Sequence, residues 1–360
     1  MKNIVEKFAI RGTVAEVKPL GNGLINTTYK ATTAEADAPD YVLQSVNNAV
    51  FPDLDVLMGN IVAVTGHIRK KLLERGTEDI DRKVLQFVPL KDDASKYYYF
   101  DGEKYWRIMV FIPDTLSMTE VTPESAAIVG ETFGDFQAML ADIPAQLGET
   151  IKDFHNIEFR LRQLKDAVAA DPKGRAAEVK DLLDEIEKRA EVMTKSERLY
   201  REGKLPKRIC HCDTKVDNIL FNKDGSVLCV IDLDTVMPSF IFSDFGDYLR
   251  SAANPVREDS PEYDKVDFRM DIFKAFTKGY LSTAKFLTPI EIENLPYAAL
   301  LFPYMQLVRF LADYINGDTY FGIQYPEHNL VRSRNQFALV QAVERRTPDM
   351  EAFIAEVLGK

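Results

Sequence analysis

The chain has 360 residues, 46% hydrophobic and 28% charged content, a formal net charge of −11 and a pI near 5.1. That length supports one large domain or a two-lobed unit with a sizeable core, and the composition is that of a globular protein. The acidity argues against tracking a nucleic-acid backbone or an anionic membrane, while a local phosphate site remains compatible with it.

Three cysteines in so long a chain are not a disulfide framework. Cys210 and Cys212 are separated by a single residue, too close for an unstrained bridge. A reducing compartment fits this usage. The N-terminal stretch MKNIVEKFAIRGTVAEV carries charges inside its apolar pattern and lacks a signal-peptide core. No run is read as approaching the about 20 apolar residues of a membrane span. The expectation is a cytoplasmic monomer with neither nucleic acid nor membrane as a partner.

The first part of the chain reads as strand-rich. Residues 13–20 alternate, GNG at 21–23 turns, and 24–32 extends again. ADAPD at 36–40 breaks the chain before a third strand at 41–47. Over 51–76, Leu54, Leu57, Met58, Ile61, Val62, Val64, Ile68 and Leu72 recur near helical spacing, which predicts a helix. Strands are predicted at 84–89 and 96–101. The apolar run 104–115 reads as a buried strand leading to a crossover near Pro113.

From about residue 122 the texture becomes helical. Residues 123–140 predict one helix, and 161–200 predict two, broken near Asp171-Pro172. Val179, Leu182, Leu183, Ile186, Ala190 and Met193 form one apolar face of a charge-rich, solvated pair. A loop and a hairpin turned at Asp224-Gly225 interrupt the helices, which then resume to the C-terminus. The domains expected are an N-terminal nucleotide-binding lobe, 1–112, and a catalytic and substrate-binding lobe, 113–360.

The chemistry concentrates in HCDTKVDNILFNKDGSVLCVIDLDT, residues 211–235. Its spacing is H-x-D-x-K-x-x-N, and Asp232 follows Asn218 by 14 residues at the end of an apolar run. Protein kinases place an aspartate, an asparagine five residues on, and a metal-binding aspartate after a hairpin in this order. Phosphoryl transfer needs a base near the acceptor hydroxyl, which suits Asp213. It needs a divalent cation held by oxygen donors, which suits Asn218 and Asp232. Lys215 is placed to offset charge on the moving phosphoryl group, and His211 reads as structural. Incidental turn acids account for Asp217 and Asp224, but not for Asp213, Asn218 and Asp232 falling together at this spacing.

The stretch resembles the aminoglycoside phosphotransferase and choline kinase family. Within it, the likeness is greatest to the N-acetylhexosamine 1-kinases. It runs over most of the chain, through NTTY, YVLQSVN, FGDFQ, HCDTKVDNILF, VIDLDTVMP, DFGDYLR, RFLADYINGDTYF and YPEHNLVRSRNQ. The resemblance implies an α+β, bilobal, protein-kinase-like fold with an antiparallel-sheet N-lobe and a larger, mainly helical C-lobe. It implies ATP, Mg²⁺ and transfer of the γ-phosphate to the anomeric 1-hydroxyl of N-acetylglucosamine or N-acetylgalactosamine. The alternative is a kinase of the same family acting on another hexose, an amino alcohol or an aminoglycoside.

Residue by residue, the resemblance makes Asp213 the base and Asn218 and Asp232 the metal holders, with Asp234 close behind. Gly23, Asn26 and Thr27 fall where a glycine-rich loop lies over phosphates, although G-x-G alone is also an ordinary hairpin turn. Kinases carry a lysine on the third strand, whereas Gln44 stands there, an amide without charge. Phe111 and Ile112 fall at the adenine-binding hinge. Arg309 and Tyr320 match the part lining the sugar pocket, against an Arg309–Asp313 ion pair and core packing of Tyr320 as plainer readings. Leu24 and Ser251 replace a usual histidine and a usual aromatic, and both bear on the acceptor pocket. In DFGD, 244–247, the letters copy the kinase metal motif, but Asp232 already holds that place, so Asp244 is expected to brace the catalytic loop.

Overall fold

The computed structural model describes residues 1–21, 25–118 and 120–360. They part into two compact units: Met1–Met118 with Asp142–Lys152 and Asp217–Met237, and Thr119–Ala141 with Asp153–Val216 and Pro238–Lys360.

The first unit is built on an antiparallel sheet of β1 (Val14–Pro19), β2 (Thr27–Thr33), β3 (Tyr41–Val46), β4 (Tyr99–Phe100) and β5 (Tyr105–Val110), in the order β1-β2-β3-β5-β4. Alternation sorts the side chains. Val14, Ala31, Tyr41, Leu43, Trp106 and Ile108 pack with Val5 and Phe8 in one core cluster. The residues between them lie on the other face. There Thr28 stands opposite Gln44, and Gln44 opposite Arg107, so one transverse row of three polar side chains crosses β2, β3 and β5.

Two strand expectations are corrected. Residues 84–89 are not a strand: they make one bridge, Phe87 to Met109, with Val88 N–H donating to Ile108 O and Val110 N–H to Gln86 O. Residues 96–101 shorten to Tyr99–Phe100. The physical reason is a shared edge. β4 occupies the Tyr105–Trp106 end of β5, and the earlier segment has only the other end before Pro89, which has no N–H, ends the run.

The helix predicted within 51–76 spans Leu54–Glu74, capped by Asp53, whose carboxylate accepts the Val56 N–H. Its buried Asn60 donates to Gly148 O at 2.7 Å and Val236 O at 2.9 Å, which ties 142–152 and 217–237 to this unit. The hairpin pairs Ile219–Asn222 with Val227–Val230 and turns at Gly225, whose φ of 83° is open to glycine.

The second unit is helical. Thr122 and Ser125 form a capping box at the start of the predicted helix Pro123–Leu140. The predicted break after Ala170 is real: Asp171 is left-handed at φ 33°, and its carboxylate accepts the N–H groups of Arg175 and Ala176. Helices Lys180–Met193 and Lys195–Arg201 follow, and Val179, Leu182, Ile186 and Met193 of the predicted face are buried. One reading of the sequence is revised here. Helix Leu295–Asn316 has the length and composition to cross a membrane, but 78% of its most apolar window is buried inside the fold, as in a core helix.

Helices Pro123–Leu140 and Met270–Thr283 pack nearly main chain to main chain. A Cβ at Gly130 would overlap the Phe276 carbonyl oxygen, and one at Gly279 the Ala127 carbonyl oxygen. Backbone atoms inside two helices cannot yield as a side chain can. Gly279→Ala is therefore expected to destabilise the protein by about 3 kcal/mol, the upper end for overpacking, seen as a lowered denaturation midpoint. A midpoint equal to the wild type would mean that the helices separate at little cost.

Candidate active site

In the second unit, the chemistry of the loop from His211 to Lys215 begins with its backbone. Cys212 is left-handed at φ 64°, a conformation costing a β-carbon residue about 1–3 kcal/mol. What holds it there is Asp244, in the first turn of helix Phe242–Ala252. The buried Asp244 carboxylate accepts the N–H of His211 at 2.9 Å, the N–H of Cys212 at 2.7 Å and Gln137 Nε2 at 2.7 Å. The Asp244 carbonyl accepts the Thr214 hydroxyl at 2.7 Å. Burial pushes the Asp244 carboxyl up to about 6, against His211 and the two amides, which pull it down. His211 itself is buried and edge-on to Phe133 and Phe136. The expected bracing role of Asp244 and structural role of His211 thus have direct geometric counterparts.

At the apex of the braced loop, Lys215 Nζ lies 2.7 Å from Asp213 Oδ1. One helical turn beyond Asp244, buried Asp247 accepts the Thr214 N–H at 3.2 Å and faces Arg250. Burial pushes the Asp247 carboxyl up, Arg250 opposes this, and the nearby Asp213 carboxylate adds to it. Arg250 in turn pairs with Glu258 at 2.6 Å.

In the first unit, the open end of the hairpin brings Asn218 and Asp232 onto neighbouring strand ends. Ile219 pairs with Val230, and the Ile231 N–H donates to Asn218 O at 2.9 Å. Asp232 is left-handed, φ 59° and ψ 57°, and starts the one-turn helix Leu233–Thr235. An amide oxygen and a carboxylate are hard donors of the kind Mg²⁺ takes, with phosphate and water completing the shell. Among the described residues no group of three or more His, Cys, Asp or Glu forms a protein-only metal cage.

Asp234 is differently occupied. Its Oδ1 lies 2.6 Å from Arg107 Nη1, and its Oδ2 accepts Asn26 Nδ2 at 2.7 Å. Arg107 also donates through Nε and Nη2 to Gln44 Oε1 at 3.0 and 2.8 Å, and Gln44 Nε2 donates to the Thr28 hydroxyl. Asn26 Oδ1 accepts the Asn47 N–H. Of the residues read as phosphate-binding, Asn26 and Gln44 therefore join one buried network with Asp234. Thr27 is exposed at the start of β2, and Gly23 and Leu24 lie outside the described residues. At the expected hinge, the Phe111 N–H donates to Asp40 O, and Ile112 is buried.

The structure also brings Arg309 and Tyr320 together, the guanidinium 5.9 Å from the ring centroid. Arg309 further lies 5.3 Å from the rings of Phe154 and Phe321 and donates to Gln306 Oε1. Asp313 is not its ion-pair partner. That carboxylate accepts the N–H groups of Thr319, Tyr320 and Phe321, so it builds the loop that presents Tyr320. Tyr320 is 60% exposed and is not core packing. Arg160 lies close enough for Arg309 to pull its pKa down, after burial, to about 10. Burial, followed by the guanidinium groups of Arg309, Arg160 and Arg250, pushes the His155 pKa well down. Ser251 is exposed, and its hydroxyl donates back to Tyr248 O in its own helix.

Residues 16–279 match the sequence profile of the phosphotransferase enzyme family. The chain belongs to that family.

Its fold is similar to an aminoglycoside phosphotransferase from Alicyclobacillus acidocaldarius, at 14% identity and a TM-score of 0.60, with 97% of this chain and 96% of the other covered. A microcompartment-associated aminopropanol kinase gives 16% identity and a TM-score of 0.61, with 97% of each chain covered. An amicoumacin kinase solved with AMP-PNP, Ca²⁺ and Ami gives 12% identity and a TM-score of 0.56, covering 94% of this chain and 90% of that one. The kinase-like α+β fold expected from the sequence is the fold observed.

Two residues of this phosphotransferase escaped the reading of its sequence. Asp247 closes the DFGD stretch without a role of its own in the sequence, although its i+3 spacing from Asp244 puts both acids on one helix face. Arg107 sits in an apolar strand run and carries no motif. Only the cross-strand register with Gln44 reveals it.

The Asp244 network makes a direct prediction. Asp244→Asn turns one acceptor oxygen into a donor facing donors and leaves a buried N–H unpaired. We expect about 1–3 kcal/mol of lost stability, read by chemical denaturation, together with a fall in turnover. Unchanged stability would show that the loop holds its kink without the carboxylate.

Proposed function

We propose that this phosphotransferase moves the γ-phosphoryl group of ATP to the anomeric 1-hydroxyl of an N-acetylhexosamine, giving the sugar 1-phosphate. The observation that carries this reading is the Asp213–Lys215 pair at the tip of a loop fixed by Asp244. In the proposed reaction the Asp213 carboxylate receives the proton of the acceptor hydroxyl. The acceptor oxygen bonds to the γ-phosphorus as the bond to the β-phosphate oxygen breaks, and ADP leaves. Lys215 Nζ, against Asp213, supplies a positive charge near the proton-accepting oxygen.

Asn218 and Asp232 are the proposed holders of Mg²⁺, with Asp234 as the anchor behind them. When bound, the ion neutralises charge on the polyphosphate. The amicoumacin kinase solved with AMP-PNP and Ca²⁺ supports a nucleotide and a divalent cation in this fold. Gly23, Asn26 and Thr27 are proposed to lie near the phosphates, and Phe111 and Ile112 near the base.

The acceptor is proposed to sit in the second unit beside Arg309 and Tyr320, with Ser251 modulating its pocket. Arg309 and Arg160 donate in the described bonds only to neutral oxygens. Cationic side chains of that kind repel a polycationic antibiotic and suit the hydroxyl and acetamido oxygens of a sugar. A flat aromatic such as Tyr320 gives a sugar ring an apolar surface to pack on.

Asp213→Asn should lower kcat by about 10²–10⁴-fold while nucleotide binding survives. Retention of most of the wild-type rate would remove Asp213 from the role of base. A panel of acceptors with ATP and Mg²⁺, read by phosphorus NMR, should show N-acetylglucosamine and N-acetylgalactosamine phosphorylated at the 1-hydroxyl. Plain glucose should be poorer by several-fold, the worth of about 1 kcal/mol for one lost hydrogen bond. Arg309→Ala should raise KM for the sugar much more than for ATP. Choline or an aminoglycoside as best acceptor, with sugars inert, would overturn the acceptor assignment and favour the alternative of another small hydroxyl acceptor.

A further inference from the structure

The third strand of this sheet lacks the cation expected there. Kinase-type sheets carry a lysine on that strand, paired with a carboxylate and reaching the nucleotide phosphates. Gln44 occupies the strand here. Directly opposite it, one strand over, stands Arg107. Its side chain is 2% exposed, and that of its partner Asp234 is 5% exposed. The only other cation on β2, β3 and β5 is Lys30, which pairs with Asp40 at 2.9 Å and lies over the Phe111 ring.

We propose that the cation has moved from β3 to β5. Arg107 is then the positioning residue of the nucleotide site, acting through its ion pair with Asp234 on the turn that carries Asp232. The inference rests on the kinase reading given above and adds a role that the reading did not contain.

The bonding explains why arginine and not lysine is used. One guanidinium faces two partners in different directions. Nε and Nη2 converge on Gln44 Oε1, and Nη1 lies 2.6 Å from Asp234 Oδ1, an ion-pair contact without hydrogen-bond alignment. A lysine ammonium has no planar fork with which to do both. Gln44 is thus recast from a missing charge to the acceptor that orients the charge next door.

The far oxygen of Asp234 is held by Asn26, which is itself anchored on the Asn47 N–H. The turn Leu233–Thr235, and with it the left-handed Asp232 just before, is tied by Asp234 to β2, β3 and β5 together. Buried ion pairs are weak sources of stability, and isosteric apolar replacements often fold as well. A pair kept here, between the row of polar side chains and the metal-holding hairpin, is therefore read as a device of position.

The test separates position from mere stability. In the full-length protein, Arg107→Met with Asp234→Leu removes both charges at once, so no lone charge stays buried. Thermal melting reports folding. Titration calorimetry with ADP in the presence and absence of Mg²⁺ reports the site. We expect Kd for Mg-ADP to rise at least tenfold and KM for ATP to rise with it, while KM for the acceptor stays within twofold. Mg-ADP affinity within twofold of the wild type in the folded double variant would overturn the proposal.

Gln44→Lys is the second arm, should the double variant not fold. If the cation has moved, a lysine beside Arg107 sets two like charges together, and Mg-ADP binding should weaken or stay level. Tightening by tenfold would mean that the charge was missing and not relocated, and would also overturn it. Failure of the wild type to bind Mg-ADP at all would instead overturn the kinase reading beneath.

Discussion

The Asp244 carboxylate is the constraint on which the loop from His211 to Lys215 depends. A chain running from an apolar strand into a solvent-facing acid would relax to an extended or helical backbone, because a left-handed cysteine is unfavourable. Two amide bonds to one buried carboxylate reverse that preference at Cys212 and commit the next residue, Asp213, to a fixed direction. The carboxylate is in turn held by Gln137, whose side-chain oxygen accepts the Tyr280 hydroxyl. Helices Pro123–Leu140, Phe242–Ala252 and Met270–Thr283 therefore all contribute to one kink. Their close packing at Gly130 and Gly279 keeps Gln137 and Tyr280 in reach of each other.

The first unit uses the same device with a different acid. Asp234 is a buried carboxylate whose oxygens are shared between a guanidinium and an amide. Each acid sits within a few residues of a group with a proposed chemical task, Asp213 in one case and Asp232 in the other. In both, the reactive neighbour is left-handed or follows a left-handed residue. Strained backbone of this kind persists where surrounding bonds over-determine it. Hydrogen-bonded buried acids supply that surplus, since an unmet carboxylate in the interior is costlier than the strain it holds.

The second unit shows how an acid can also shape a loop from below. Asp313 collects three consecutive N–H groups and the Asn329 amide, so the segment 319–321 is folded around a carboxylate. Phe321 then packs on Phe310, and Tyr320 is left outward beside Arg309. An i, i+4 rule on the helix alone would have paired Arg309 with Asp313. Loop amides win because they satisfy several lone pairs at once and remove three backbone donors from burial.

Much of this protein was determined by its sequence alone. Period-2 and period-3.6 patterns located β1, β2, β3, β5 and the helices Leu54–Glu74 and Pro123–Leu140, because apolar spacing directly encodes which face is buried. The spacing of Asp213, Asn218 and Asp232 was legible because the loop and hairpin that carry them are local, set by turn residues such as Gly225. What the tertiary structure alone decided is pairing between segments distant in sequence. Arg107 meets Gln44 and Asp234, Asp247 meets the Thr214 amide, and 84–89 loses its strand to a shared edge. No local pattern records such partners. Register and helix packing choose among many acids and amides of equal propensity, and the choice is made by which buried polar group would otherwise go unpaired.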